Sequence, residues 1–223
     1  MHIGLIGGIG PASTTFYYQG IVQRMAGTGN PLHLTIGHTD VHQLVANVEA
    51  ERPDRQALEY RRITEQLAGA GAEAVAITSM GGHFCAPEFA AVSPLPLING
   101  PEAVAKFLKA EGLTKVGLIG TRVVMQTGLY GWITEADVLT PEGPDLDQTH
   151  ADYIAVGTTG KATPDQHMRL VDAARVLCEY RGAEAVILGG TDLFVVFDQE
   201  TPNYPVIDSA EVHMDAIVAM ASS

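Results

Sequence analysis

Four short segments carry groups whose types and spacing could do chemistry. Gly7-Gly8-Ile9-Gly10-Pro11 is a glycine-rich turn at the head of a helical stretch. Exposed N–H groups and the helix dipole at such a place favour an anion such as a carboxylate. Ser79-Met80-Gly81-Gly82-His83 sets a hydroxyl four residues from an imidazole. A serine hydroxyl is a weak base near neutral pH unless a neighbour activates it, and His83 is the candidate acid/base partner. The plain alternative is a capped turn with a backbone-satisfied histidine. Thr191-Asp192 places a hydroxyl donor beside a carboxylate that could serve as acid or base, although Asp is equally at home as a helix cap. Arg52-Pro53-Asp54-Arg55 offers guanidinium groups able to clamp a carboxylate bidentately. Pro53 and Asp54 also read as an ordinary helix start.

Several other chemistries are disfavoured. The dinucleotide pattern G-x-G-x-x-G is broken at Ser13, Pro11 intrudes, and no acidic residue stands at the expected distance. The eight histidines supply no zinc-binding set, so no metal is expected. Cys85, six residues past Ser79, reads as a packed thiol, with a relocated nucleophile as the alternative. Cys178 falls in the apolar register of a helix and reads as core. Two cysteines make no disulfide framework, and no signal peptide precedes the first strand, so a cytoplasmic protein is expected.

The elements that must position these groups alternate along 223 residues. Strands are expected at 2–7, 32–38, 74–78, 95–98, 115–120, 185–189 and 206–207. Helices are expected at 13–25, 54–70, 102–111, 123–133, 164–181 and 210–220, and 153–157 reads as a loop or short strand. The strands are continuous apolar runs, which points to parallel sheets covered on both faces. The net charge of −13 would repel a phosphate backbone, so nucleic-acid binding is not expected. No apolar run approaches the roughly 18–20 residues that cross a membrane.

The chain also repeats itself. Ile3-Gly4-Leu5-Ile6-Gly7 returns as Val116-Gly117-Leu118-Ile119-Gly120, and Gly71-Ala72-Glu73-Ala74-Val75 returns as Gly182-Ala183-Glu184-Ala185-Val186. Offsets of 113 and 111 argue for two similar α/β halves. The fold expected is two Rossmann-like halves, 1–100 with 206–223 and 101–205, with a ligand cleft between them. Ligands bind at the carboxyl ends of parallel strands. Within the repeat Ser79 corresponds to Gly190, and Thr121 follows the partner of the first strand.

The segments Gly7–Thr14, Gly117–Thr121 with Met125 and Tyr130, Ala183–Asp192, and Asp208 with His213, in this order, resemble the aspartate/glutamate racemase superfamily over nearly the whole chain. That resemblance implies an enzyme that needs no cofactor and no metal. Two residues, usually cysteines, face each other across the cleft and exchange a proton at the α-carbon of a small amino acid or carboxylate. It places catalytic roles at Ser79, His83 and Asp192. Substrate contacts fall at Gly8, Ile9, Gly10, Arg52, Arg55, Met80, Gly81, Thr121, Lys161, Gly190 and Thr191, and a homodimer is expected. The departures are sharp. Serine stands where the first thiol would be, methionine where the asparagine after it would be, and Gly190 where the second thiol would be. A related lyase, decarboxylase or isomerase using Ser79, His83 or Asp192, or a non-catalytic carboxylate-binding protein, is therefore the alternative.

Overall fold

The computed structural model describes residues 1–197 and 202–223. The chain divides into two compact units, Met1–Gly100 with His213–Ser223, and Pro101–Val212.

The first unit holds a four-stranded sheet in the order β2-β1-β3-β4: β1 is His2–Gly7, β2 His33–His38, β3 Ala74–Ile77 and β4 Leu97–Ile98. Every neighbouring pair is parallel, with Ile3 opposite both Leu34 and Ala74. β1 and β3 are buried from Ile3 and from Ala74 onward, as their unbroken apolar runs predict; edge strand β2 leaves Ile36 exposed. Helices α1 (Pro11–Ala26), α2 (Val41–Glu49), α3 (Pro53–Gly69) and α4 (Ala86–Val92) belong to this unit, and α3 packs on β1 and β2. The second unit repeats the order as β6-β5-β7-β8, again all parallel: β5 is Lys115–Ile119, β6 Asp137–Leu139, β7 Ala185–Leu188 and β8 Val206–Asp208. Its helices are α5 (Gly100–Ala110, which starts on the last residue of the first unit), α6 (Arg122–Thr127), α7 (Pro144–Thr159), α8 (Pro164–Arg175) and the single turn α9 (Phe194–Phe197). The division between units falls inside the last helix, α10 (Ser209–Ala221).

The repeated pentapeptide has a repeated physical job. Gly71 and Gly182 take φ of 97° and 78°, a region that L side chains avoid. Glu73 and Glu184 each have a carboxylate that accepts the first N–H of the neighbouring strand, from His2 at 2.7 Å and from Lys115 at 2.8 Å. Their own N–H groups donate back to the His2 and Lys115 carbonyls, both at 2.8 Å. The glycines inside β1 and β5 match as well: a side chain at Gly4 would meet Leu67 and Val75, and one at Gly117 would meet Leu177 and Val186. The path from Leu177 to Ala183 is one residue longer than that from Leu67 to Ala72. A π-helical turn at Val176–Tyr180 absorbs the extra residue.

The structure departs from expectation at several elements. Residues 153–157 are neither loop nor strand but part of the C-terminal half of α7. The helix expected over 123–133 ends at Thr127, because Gly128, Leu129 and Tyr130 all take positive φ. α2, α4 and β6 were not anticipated. β8 pairs with β7, so residues 206–212 stay with the second unit, where the sequence had suggested the first half.

A methyl at Gly117 would stand 2.7 Å from Val186 Cγ2, tighter than the 3.0 Å that a methyl at Gly4 leaves to Leu67 Cδ1. Overpacking a filled core costs about 1–3 kcal/mol. Gly117→Ala should therefore lose stability in urea unfolding, and lose more than Gly4→Ala; equal or negligible losses would count against matched packing in the two sheets.

Candidate functional site

At the carboxyl end of β1 the chain turns through Gly8, whose φ is 96°. A Cβ there would overlap the Thr39 carbonyl oxygen and stand 2.5 Å from His38 Nδ1. The Gly8 N–H donates to Thr14 Oγ1 at 3.0 Å, and that hydroxyl donates on to the Gly10 carbonyl at 3.0 Å. Gly8 was expected to bind a ligand through its N–H; the structure uses that group to close the turn. Gly10 is the N-cap of α1 and supplies no side-chain cap, so Ile9 and Gly10 keep the expected place at a helix start. Ile9 Cδ1 lies 3.0 Å from where a side chain on Gly82 would begin, which puts this turn beside the one after β3.

After β3, Ser79 is buried, and its Oγ accepts the Gly82 N–H at 3.3 Å. His83 does not reach that hydroxyl. The tight 3₁₀ turn Gly81–Cys85 folds the imidazole back, so that Nδ1 donates to the Ser79 carbonyl at 2.7 Å. Its Nε2 accepts the Gly100 N–H at 3.2 Å. A ring with one donating and one accepting nitrogen is neutral. His213 on α10 is neutral in the opposite tautomer. Its Nε2 donates to the Ile98 carbonyl at 2.8 Å, and its Nδ1 accepts the Tyr17 hydroxyl at 3.0 Å. The two rings meet edge to face with centroids 5.6 Å apart. Burial, and for His83 also the neighbouring His213, pushes His83 down to about 3; burial pushes His213 down to about 4. The expected acid/base role of His83 beside Ser79 is corrected on this ground. Both nitrogens are committed to backbone, and protonation is strongly opposed.

Met80 is likewise corrected as a substrate contact through its side chain. It is fully buried, with its methyl 2.5 Å from where a side chain on Gly100 would begin. Gly81 fits its expectation better, because the nearest atom to a Cβ there would be Ser79 Oγ, at 3.7 Å. Cys85 is a packed thiol. It is fully buried with Sγ 3.8 Å from the Gly82 carbonyl, and burial pushes it up to about 12. Arg52 turns both Nε and Nη2 onto Asp54, at 2.8 and 2.6 Å, and that hydrogen-bonded pair holds the Asp54 carboxyl down at about 2. Its fork is engaged on its own helix start instead of being open to a ligand. Arg55 is exposed on the same turn.

In the second unit, Thr121 follows β5 and caps α6, its hydroxyl accepting the Val124 N–H at 3.3 Å. A Cβ on the adjacent Gly120 would stand 3.2 Å from the Gly189 carbonyl carbon, so the ends of β5 and β7 lie together. After β7, Gly190 is the N-cap of the short turn Thr191–Leu193. Thr191 is 1% exposed, and its Oγ1 finds no hydrogen-bond partner among the described residues. Asp192 is buried against α7, with Oδ2 3.5 Å from where a side chain on Gly157 would begin. Tyr153, one helical turn before Gly157, fills the space in front of Gly190: a Cβ there would overlap ring carbons Cε2 and Cζ and stand 2.7 Å from the hydroxyl. Burial, then the Asp192 charge, then Tyr130 raise the Tyr153 phenol well above its ordinary range. Sequence reasoning missed Tyr153, having read its helix as loop or strand. The signal available was the absence of any side chain at Gly190. Lys161 is exposed just past α7, where its N–H donates to Thr159 Oγ1 at 3.3 Å.

The structure thus gathers Ile9, Gly10, Ser79 and Gly81 at the strand ends of the first unit, and Thr121, Gly190, Thr191 and Asp192 at those of the second. Arg52 is engaged by Asp54, and the Lys161 backbone N–H by Thr159. Two concavities of about 240 and 430 Å³ lie elsewhere in the second unit, one between α5 and Trp132–Ala136, the other between α7 and α8.

The buried histidines set a pH dependence. Their pKa values are depressed on folding, so the unfolded chain binds more protons below about 6.5, and stability falls as pH drops from there towards 4. The slope from each is at most about 1.4 kcal/mol per pH unit. Urea unfolding between pH 7 and 4.5 should show this loss. ¹⁵N NMR should show His83 as the Nδ1–H tautomer and His213 as the Nε2–H tautomer, both uncharged at pH 5; a charged imidazolium for either at that pH would refute the network.

The family model described as Asp/Glu/Hydantoin racemase matches residues 6–217. Among solved structures, a protein from Yersinia pestis assigned to the Asp/Glu racemases is 27% identical, with all of both chains covered and a TM-score of 0.87. An aspartate racemase homologue from Pyrococcus horikoshii OT3 is 24% identical over 100% of this chain and 99% of the other, with a TM-score of 0.79. Glutamate racemase from Francisella tularensis, solved with D-glutamate, shares the fold at 12% identity, covering 98% of this chain and 80% of its own, with a TM-score of 0.66. With the model spanning nearly the whole chain and two parallel four-stranded sheets of matching order, this protein belongs to the Asp/Glu/Hydantoin racemase family.

Proposed function

We propose that the protein is an enzyme that moves a proton at the carbon next to the carboxyl group of a small amino acid or dicarboxylate, with no cofactor and no metal. The observation that carries this reading is Thr191 Oγ1. It is a hydroxyl sealed at the end of β7 with no protein partner among the described residues. A buried polar group left unsatisfied costs about 1–3 kcal/mol, so such a group is accounted for by a ligand that supplies the missing partner. A substrate carboxylate oxygen is a suitable acceptor. The uncapped start of α1 at Gly10 adds N–H groups and a helix dipole of the same preference.

Ser79 is the group assigned to the reacting carbon on the first unit. Its hydroxyl would first give up its proton to solvent hydroxide, the resulting oxygen would take the α-proton and become the hydroxyl again, and Gly81 leaves the space beside it open. Asp192 is assigned to the second unit as a buried carboxylate that sets the local field. The two remaining expectations form part of the same reading: a cytoplasmic setting, from the sparse cysteines, and a homodimer, from the resemblance.

The test is α-proton exchange. L- and D-aspartate, L- and D-glutamate and small dicarboxylates incubated with the enzyme in D₂O should lose the α-proton signal for at least one compound. Ser79→Ala should slow that exchange by about 10²–10⁴-fold, the usual contribution of a positioned proton-transfer group. Thr191→Val should raise KM roughly 10-fold or more, as loss of a hydrogen bond to a charged group does, with less effect on kcat. Binding of these compounds with no exchange at all would reduce the protein to a carboxylate-binding scaffold.

A further inference from the structure

Ser79 is held on both sides by side chains that do not touch its hydroxyl. The carbonyl before it, on Thr78, accepts the Ser13 hydroxyl at 2.6 Å, and its own carbonyl accepts the His83 Nδ1–H at 2.7 Å. Ser13 and Thr78 are fully buried and His83 is 1% exposed, so water does not compete for either bond. A serine hydroxyl has one proton to donate and a neutral imidazole has one, and both are committed to the two carbonyls that flank Ser79. The donor that meets Ser79 Oγ is fixed in the same way. The Gly82 N–H reaches Oγ at 3.3 Å, the Tyr60 hydroxyl donates to the Gly82 carbonyl at 3.3 Å, and a side chain on Gly82 would begin 2.7 Å from that hydroxyl. All of these groups belong to the first unit. An N–H aimed at a hydroxyl oxygen favours the form of that oxygen that carries charge. It does so only while the oxygen stays where the N–H points.

Resting on the function proposed above, we infer that His83 is a positioning residue for Ser79: its Nδ1–H fixes the Ser79 carbonyl and, through it, the direction of Oγ towards the Gly82 N–H, with Ser13 holding the other side. The role asks for a neutral donor at the δ position of residue 83 and nothing more. The second nitrogen has a separate job. Nε2 accepts the Gly100 N–H at the start of α5 and makes no bond to the Ser79 turn.

The two nitrogens can therefore be tested apart. In His83→Asn the amide nitrogen stands where Nδ1 stood, so the Ser79 carbonyl keeps its donor and Gly100 loses its acceptor. In His83→Gln the amide oxygen reaches the Nε2 position, so Gly100 keeps its partner and the Ser79 carbonyl loses this one. Each variant removes one buried bond to backbone, and both should lower the melting temperature by a similar amount, about 3–10 °C. Exchange of the α-proton in D₂O with L- and D-aspartate and L- and D-glutamate, assayed well below those temperatures, should separate them. His83→Gln should lose about 10–100-fold in kcat with little change in KM, and His83→Asn should recover activity to within a few-fold of wild type. The ¹H–¹⁵N signal of the Gly82 amide reports the same geometry without substrate. It should shift and exchange faster with solvent in His83→Gln, and hold in His83→Asn. Equal losses of kcat in the two variants, or equal changes at Gly82, would overturn the inference and leave the proposed function standing. Absence of exchange in the wild type would overturn the proposed function, and the Gly82 signal would then decide the positioning role by itself.

Discussion

Parallel pairing with a fixed register is the constraint from which the rest of this molecule follows. In each sheet the two central strands start together because one glutamate, Glu73 or Glu184, accepts the first N–H of its neighbour while its own N–H donates back. Strands that start together and run the same way also end together. The turns after β1 and β3 are thereby placed side by side, as are those after β5 and β7. No long-range side-chain design is needed to gather the candidate residues; two carboxylates at the far edge of the sheets set the positions of the turns at the near edge.

That constraint explains which parts of the molecule were legible in the sequence. The pentapeptide repeat records the register itself, since a positive-φ glycine, a buried alanine and an edge carboxylate must recur wherever the same corner is built. The doubled fold and the membership of the strand-end turns could therefore be read directly. Residues 153–157 were misread because Tyr-Ile-Ala-Val resembles a short buried strand. In α7 the flanking hydroxyls of Thr158 and Thr159 instead donate to carbonyls four residues back, at 2.7 and 2.8 Å, and Gly160 in the left-handed region closes the helix. Local composition did not carry that information; packing against the turn after β7 did.

The site residues divide along the same line. Spacing correctly brought His83 back towards Ser79, but not which Ser79 oxygen it meets. In a 3₁₀ turn the imidazole four residues on lies over the carbonyl, and the nearby Gly100 N–H takes the second nitrogen. The histidine becomes a structural tie between the end of β3, the start of α5 and, through His213, the last helix. Arg52 shows the same effect at the surface, where Asp54 two residues away satisfies the guanidinium before any ligand could. Types and spacings identify which groups can act, and hydrogen-bond accounting then removes those already committed.

Applied to the end of β7, the same accounting leaves a coherent remainder. Residue 190 has no side chain, and none could be added without moving Tyr153. Position 153 is in turn confined, because its hydroxyl needs the room that Gly190 leaves. Neither residue is intelligible alone: a glycine at 190 would leave a cavity at the strand end, and a tyrosine at 153 would collide with any larger residue there. Well-packed interiors have few voids larger than a water molecule, so such a pair must change together. A helix has thus taken over the space at a strand end that a side chain on the strand would otherwise occupy. It replaces a group fixed on the rigid sheet by one carried on α7, where the Arg169–Asp152 ion pair, at 2.7 and 2.8 Å, ties α8 to the residue just before Tyr153. That pairing turns the missing side chain at 190 from a simple loss into an exchange of one projecting group for another.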